Sequence, residues 1–134
     1  MDWWNPMVPE LLVADLPRSR AFYCDRLGFT VEYERGDDAF AYLSLGRAQL
    51  MLEADHPDAW RTGPVEAPRG RGINLQVEVP DVAAVRRALT TVGHTLFEDV
   101  AERRYAVDDG EERVLELLVQ DPDGYLLRLV QPLD

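Results

Sequence analysis

The chain has 134 residues, 46% hydrophobic and 29% charged, with a formal net charge of -11. That length suits one ordinary domain, and the acidity argues against a nucleic acid partner, whose phosphates its field would repel. No apolar run approaches the roughly 20 residues of a membrane helix, and the lone Cys24 cannot form an internal disulfide, so no membrane is expected and a cytoplasmic location is the default.

Residues 1–6 show neither the basic region nor the apolar run of a signal peptide. Trp3, Trp4 and Met7 either cap the core or cover a partner subunit. Pro9 donates no backbone hydrogen and so predicts an edge or a strand start. Asp15 is a good N-cap, Pro17 is tolerated in the first helical turn, and Phe22, Tyr23, Arg26 and Leu27 set a helix face that Gly28 ends. Alternation then predicts strands over 29–35, 39–45 and 48–53, joined by tight turns at Gly36-Asp37-Asp38 and Gly46-Arg47. Residues 54–72 break the rhythm with prolines and glycines and carry His56 and Trp60; such a loop links two modules or overhangs a site.

The order then repeats. A strand over 73–79 alternates Leu75, Val77 and Val79 with Asn74, Gln76 and Glu78. Asp81 caps a helix of Val82, Val85, Leu89 and Val92, which Gly93 stops. Strands follow over 95–99, 102–107, 114–120 and, after the strong Asp121-Pro122-Asp123-Gly124 turn, 125–131. Asp15 precedes Gly28 by 13 residues and Asp81 precedes Gly93 by 12, which marks a weak internal repeat. If 95–107 is one strand with an irregular middle, each half reads β-α-β-β-β. The expected fold is therefore α+β, a single domain over 1–134, with module one at 7–54, a linker at 55–71 and module two at 72–132.

Each module should carry its helix on one sheet face and leave the other bare. The two bare faces together would form one curved trough, the natural place for a ligand. The pleat assigns that lining to Val8, Glu10, Leu12, Gln49, Met51 and Glu53 from module one, and from module two to Asn74, Gln76, Glu78, Glu116, Leu118, Leu126, Arg128 and Val130. No hydrolase nucleophile motif, phosphate loop or dinucleotide fingerprint is present. Cys24 reads as a structural thiol, and His56 and His94 as loop or surface residues.

Taken together, the duplicated pattern, Arg20-Ala21-Phe22-Tyr23 with Leu27-Gly28-Phe29, the run Leu50-Met51-Leu52-Glu53, and 121–129 resemble the vicinal oxygen chelate superfamily. That superfamily includes glyoxalase I, extradiol dioxygenases, fosfomycin-modifying enzymes and bleomycin resistance proteins. The resemblance implies, for its enzymes, a divalent metal held at four strand positions, which fall here on Val8, Glu53, Asn74 and Arg128. Two of those four are a hydrocarbon and a cation. The resemblance is greatest to bleomycin resistance proteins, which implies a homodimer that sequesters an antibiotic without chemistry; with Val8 and Arg128 at two of the ligand positions, no metal is expected, and no cofactor either. The expected ligand is a small molecule of cationic character, met by Tyr42, Met51, Glu53, Trp60, Asn74, Tyr105, Glu116 and Arg128. Arg128 would anchor a ligand oxygen, with Glu53 and Glu116 as counter-charges, or else Arg128 and Glu53 would form an internal ion pair that fills a vacated metal site. The alternatives are a metal-dependent lyase, isomerase or dioxygenase, or a metal-free enzyme using a trough carboxylate as base.

Overall fold

A computed structural model describes residues 3–133; Met1, Asp2 and Asp134, the first two within the signal-peptide reading above, lie outside the described residues. The chain divides into two compact units. The first takes the residues up to Arg69 together with Pro122–Gly124, and the second takes Gly70–Asp121 and the stretch from Tyr125 onward. None of the described helices is long and apolar enough to cross a membrane.

The first unit runs β1 (Glu10–Val13), α1 (Leu16–Ala21), β2 (Thr30–Arg35), β3 (Phe40–Leu45) and β4 (Ala48–Ala54). Its sheet has the order β1-β4-β3-β2, with β1 parallel to β4 and the other neighbours antiparallel. Pro9 precedes the edge strand, where its missing N–H costs no ladder bond and its carbonyl accepts from Met51. Asp15, held extended, accepts from the Arg18 N–H at 3.1 Å and starts α1. The helix does not stay α-helical. From Phe22 to Leu27 it widens into a π-helix, and the Gly28 N–H reaches back five residues to the Tyr23 carbonyl. Gly28 then takes the left-handed conformation, φ 97°, that lets the chain leave the helix.

One sheet face packs this helix. Leu11, Val13, Leu43, Leu50 and Leu52 meet Leu16, Phe22, Tyr23 and Leu27, all buried. Each such leucine contributes roughly 1.5–3 kcal/mol by leaving water. Residues 122–124 are built into the same unit. Asp123, 6% exposed, accepts from the Ala14 N–H at 3.2 Å and the Ser19 hydroxyl at 3.5 Å. At Gly124, φ 105°, an added Cβ would stand 2.5 Å from the Pro68 Cβ, so no larger residue fits.

The second unit repeats the plan with β5 (Asn74–Glu78), α2 (Val82–Thr91), β6 (Glu98–Val107), β7 (Gly110–Gln120) and β8 (Leu126–Leu133), in sheet order β5-β8-β7-β6. Asp81 caps α2 by accepting from the N–H groups of Ala83 and Ala84. Val82, Val85 and Leu89 bury against Val77, Val79, Leu117, Val119, Leu127 and Leu129. Residues 95–97, expected in a strand, lie before β6, which begins at Glu98. Its irregular middle is a register shift between Glu98 and Ala101. The described residues thus carry two four-stranded mixed sheets with one helix run apiece, and both β-α-β-β-β halves share one strand order.

Candidate functional site

The face of the first sheet opposite its helix carries Glu10 and Leu12 from β1, Gln49, Met51 and Glu53 from β4, and Phe40, Tyr42 and Ser44 from β3, paired across in register. A bulge between Val31 and Tyr33 shifts β2 by one residue, so Tyr33 and Arg35 lie opposite Tyr42 and Phe40. Without it, both side chains would turn toward the helix.

The face is divided in two. Over one part lies the segment before β1. The Asn5 N–H and the Tyr42 hydroxyl both donate to Gln49 Oε1, at 2.8 and 2.5 Å, and Gln49 donates to the Trp3 carbonyl. Trp4 stands edge-on to Tyr42 and Tyr33, with centroids 4.9 and 5.8 Å apart. Tyr42 is thereby 5% exposed, and burial, with Tyr33 nearby, raises its hydroxyl above the ordinary tyrosine range.

The other part is a cavity of about 500 Å³, lined by Glu10, Leu12, Arg35, Glu53, His56, Asp58, Ala59 and Trp60. The strand supplies Glu53, and the loop after it turns back to complete the wall. The loop is pinned by the ion pair of Arg61 with Asp55, by Arg61 Nη2 on the His56 carbonyl at 2.8 Å, and by Arg69 on the Leu12 carbonyl at 2.7 Å. The Asp58 N–H donates to His56 Nδ1 at 3.2 Å, which leaves the neutral ring its proton on Nε2, 3.6 Å from Glu53 Oε1. Trp60 is 96% exposed. Burial first, then the neighbouring Glu53, raises the Glu10 carboxyl above the ordinary glutamate range, against the opposing pull of Arg35. Arg35 itself lies over the Phe40 ring, 4.0 Å from its centroid. Three carboxylates therefore face one guanidinium that already has a π-face, and the cavity suits a positively charged guest.

The uncovered face of the second sheet is wired differently. Arg128 Nε donates to Asn74 Oδ1 at 2.9 Å and Nη2 donates to Gln76 Oε1 at 2.7 Å. Nη1 lies 3.5 Å from both the Tyr105 hydroxyl and Glu116 Oε2. Tyr105 donates to Glu116 at 2.7 Å, which raises its own hydroxyl and keeps it protonated. Glu116, 4% exposed, also has Arg103 at 3.9 Å. The β6 register shift puts Glu98, Ala101, Arg103 and Tyr105 on this one face, opposite Leu118, Glu116 and their neighbours.

Of the expected site residues, Glu53 and Trp60 line the cavity. Met51 shares the face between Glu10 and Tyr42 without lining it, and Tyr42 lies under Trp4. Asn74, Tyr105, Glu116 and Arg128 form a single bonded set in the second unit. Glu10, Arg35, His56 and Asp58 join the cavity as well. For Glu10 the alternation of β1 was sufficient signal; for His56 it was only its position three residues beyond Glu53. Cys24 is half-buried, and burial raises its thiol, the opposite of what a nucleophile needs.

The four positions where the resemblance places a metal do not fit one. The Val8 side chain has no lone pair, Arg128 brings a fixed cation, and the Asn74 oxygen already accepts from Arg128 Nε. Among the described residues no three His, Cys, Asp or Glu side chains group as metal ligands.

Two β-α-β-β-β units, each with a polar sheet face opposite its helix, define the class of glyoxalase-like folds. The family model for the "Glyoxalase/Bleomycin resistance protein/Dioxygenase superfamily" matches residues 6–129, and the chain belongs to that superfamily. A bleomycin resistance protein of Geobacillus stearothermophilus is 26% identical over 127 residues, covering 84% of this chain and 95% of the relative. A "Probable lactoylglutathione lyase" of Synechocystis is 24% identical over 123 residues, covering 89% and 88%. Among solved structures, a protein of unknown function from Agrobacterium tumefaciens matches with a TM-score of 0.70 and 25% identity, over 99% of this chain and 98% of that one.

Proposed function

We propose that this protein binds and sequesters a small cationic molecule without chemical change, as an antibiotic-resistance binder does, and that it works as a cytoplasmic homodimer. The observation that carries this reading is the first unit's cavity, where Glu10, Glu53 and Asp58 outnumber Arg35 and Trp60 offers an unpacked indole. Its volume, about 500 Å³, lies in the range of small-molecule sites. Glu53 and Asp58 take the ligand's charge and Trp60 stacks on its flat part. Met51 and Tyr42 flank the cavity as adaptable and aromatic surface. Asn74, Tyr105, Glu116 and Arg128 offer a separate polar surface in the second unit, its shape fixed by their mutual bonds. The similarity to a bleomycin resistance protein supports a binder over an enzyme. Exposed Met7 and Trp4, at 84% and 58%, support a subunit contact, which sedimentation equilibrium tests.

Calorimetric titration with a bleomycin-type glycopeptide tests the narrow reading; saturable heat with one ligand per chain supports it, and no heat at high micromolar ligand removes it. The lyase-like relative keeps a metal-dependent enzyme as the rival. Metal analysis of protein purified without chelator separates the two, since a stoichiometric transition metal belongs to the rival alone.

A further inference from the structure

Arg128 collects the oxygens of its sheet face much as a bound cation would. Asn74 Oδ1 and Gln76 Oε1 from β5, the Tyr105 hydroxyl from β6 and Glu116 Oε2 from β7 all lie within 3.5 Å of one guanidinium carried by β8. Two amide oxygens, a phenol and a nearly buried carboxylate are hard donors, the type that Mn2+ and Mg2+ select. A guanidinium meets the same donors with a planar set of N–H groups, and it neither dissociates nor titrates in the range where proteins fold.

We propose that Arg128 is a tethered replacement for a divalent cation: the second sheet carries an oxygen-rich, metal-type site closed by its own side chain, which a single charge reversal would open. This inference does not depend on what the first unit's cavity binds. Two consequences follow from the chemistry. The unsubstituted chain is indifferent to divalent cations and to chelators. In Arg128→Glu, a second carboxylate stands near Glu116 and the two amide oxygens; Arg103, 3.9 Å from Glu116, offsets part of the repulsion between the two acids, and Mn2+ relieves the rest.

The test is thermal unfolding, with about 1 mM Mn2+ or with EDTA, of the unsubstituted chain, Arg128→Glu and Arg128→Gln. The unsubstituted chain should unfold at one temperature under both conditions. Arg128→Glu should unfold lower in EDTA and gain about 5 °C or more with Mn2+, with one Mn2+ retained per chain. Arg128→Gln, without the second carboxylate, should not respond. If Arg128→Glu is unfolded in EDTA, recovery of its near-ultraviolet circular dichroism on adding Mn2+ is the same positive result. The proposal is overturned if the unsubstituted chain binds Mn2+, if Arg128→Glu is neither stabilised nor refolded by it, or if Arg128→Gln gains as much.

Discussion

The faces of the two sheets opposite their helices have the same strand order beneath them and the opposite electrostatic condition. On the second, Arg128 holds Asn74, Gln76, Tyr105 and Glu116, and the charges are spent within the protein. On the first, Glu10, Glu53 and Asp58 border open space with His56 and Trp60, and acid remains in excess. One scaffold used twice has thus given a closed network and an open cavity. Self-satisfied polar groups rigidify a face, while acid in excess around a cavity favours a cationic guest.

If that contrast is right, substitutions on the second face should cost stability and those on the first should cost affinity. Arg128→Ala leaves Glu116 nearly buried with only the Tyr105 hydroxyl and a more distant Arg103, and should destabilise the fold by about 2 kcal/mol. Urea unfolding reads this, and a loss under about 0.5 kcal/mol would break the contrast. Glu53→Gln should leave the urea midpoint alone and weaken a cationic ligand about tenfold, as measured by calorimetry. Trp60→Ala, at an indole 96% exposed, should weaken the same ligand about fivefold with no stability change.

The smallest effect is one of pH. Because Glu10 is raised, the folded chain holds that proton more tightly than the unfolded chain. The resulting stabilisation is present below the ordinary glutamate value and is lost as pH rises through the folded one. Glu10→Gln should therefore stabilise the protein near neutral pH, by at most about 0.5 kcal/mol at this solvent-screened site, and do nothing at about pH 3. A cationic guest should pull the Glu10 carboxyl back down and release a proton in mildly acid buffer, seen as a buffer-dependent binding heat.

Much of the fold was legible because its signals are local. Asp15 and Asp81 cap the helices, Gly28 ends the first with a positive φ, and alternation along β5 separates Val77 from Gln76. The π-helix was not foreseen, although its trace is in the numbers. Asp15 to Gly28 is one residue longer than Asp81 to Gly93, and a π-helical turn absorbs that extra residue. The site was legible only in part, because a bulge reverses every later side chain in its strand. Tyr33 and Arg35 reach the open face through the shift after Val31, which no propensity along 29–35 announces. His56 reaches Glu53 through a loop pinned by Arg61 and Arg69, contacts between residues that only the folded chain brings together.

The most direct test is a crystal structure of the protein with the glycopeptide bound. The account predicts density for the ligand's cationic group within hydrogen-bond reach of Glu53 or Asp58, with a flat group against Trp60. Density seated on Arg128 alone, with the first unit's cavity holding only solvent, would contradict it.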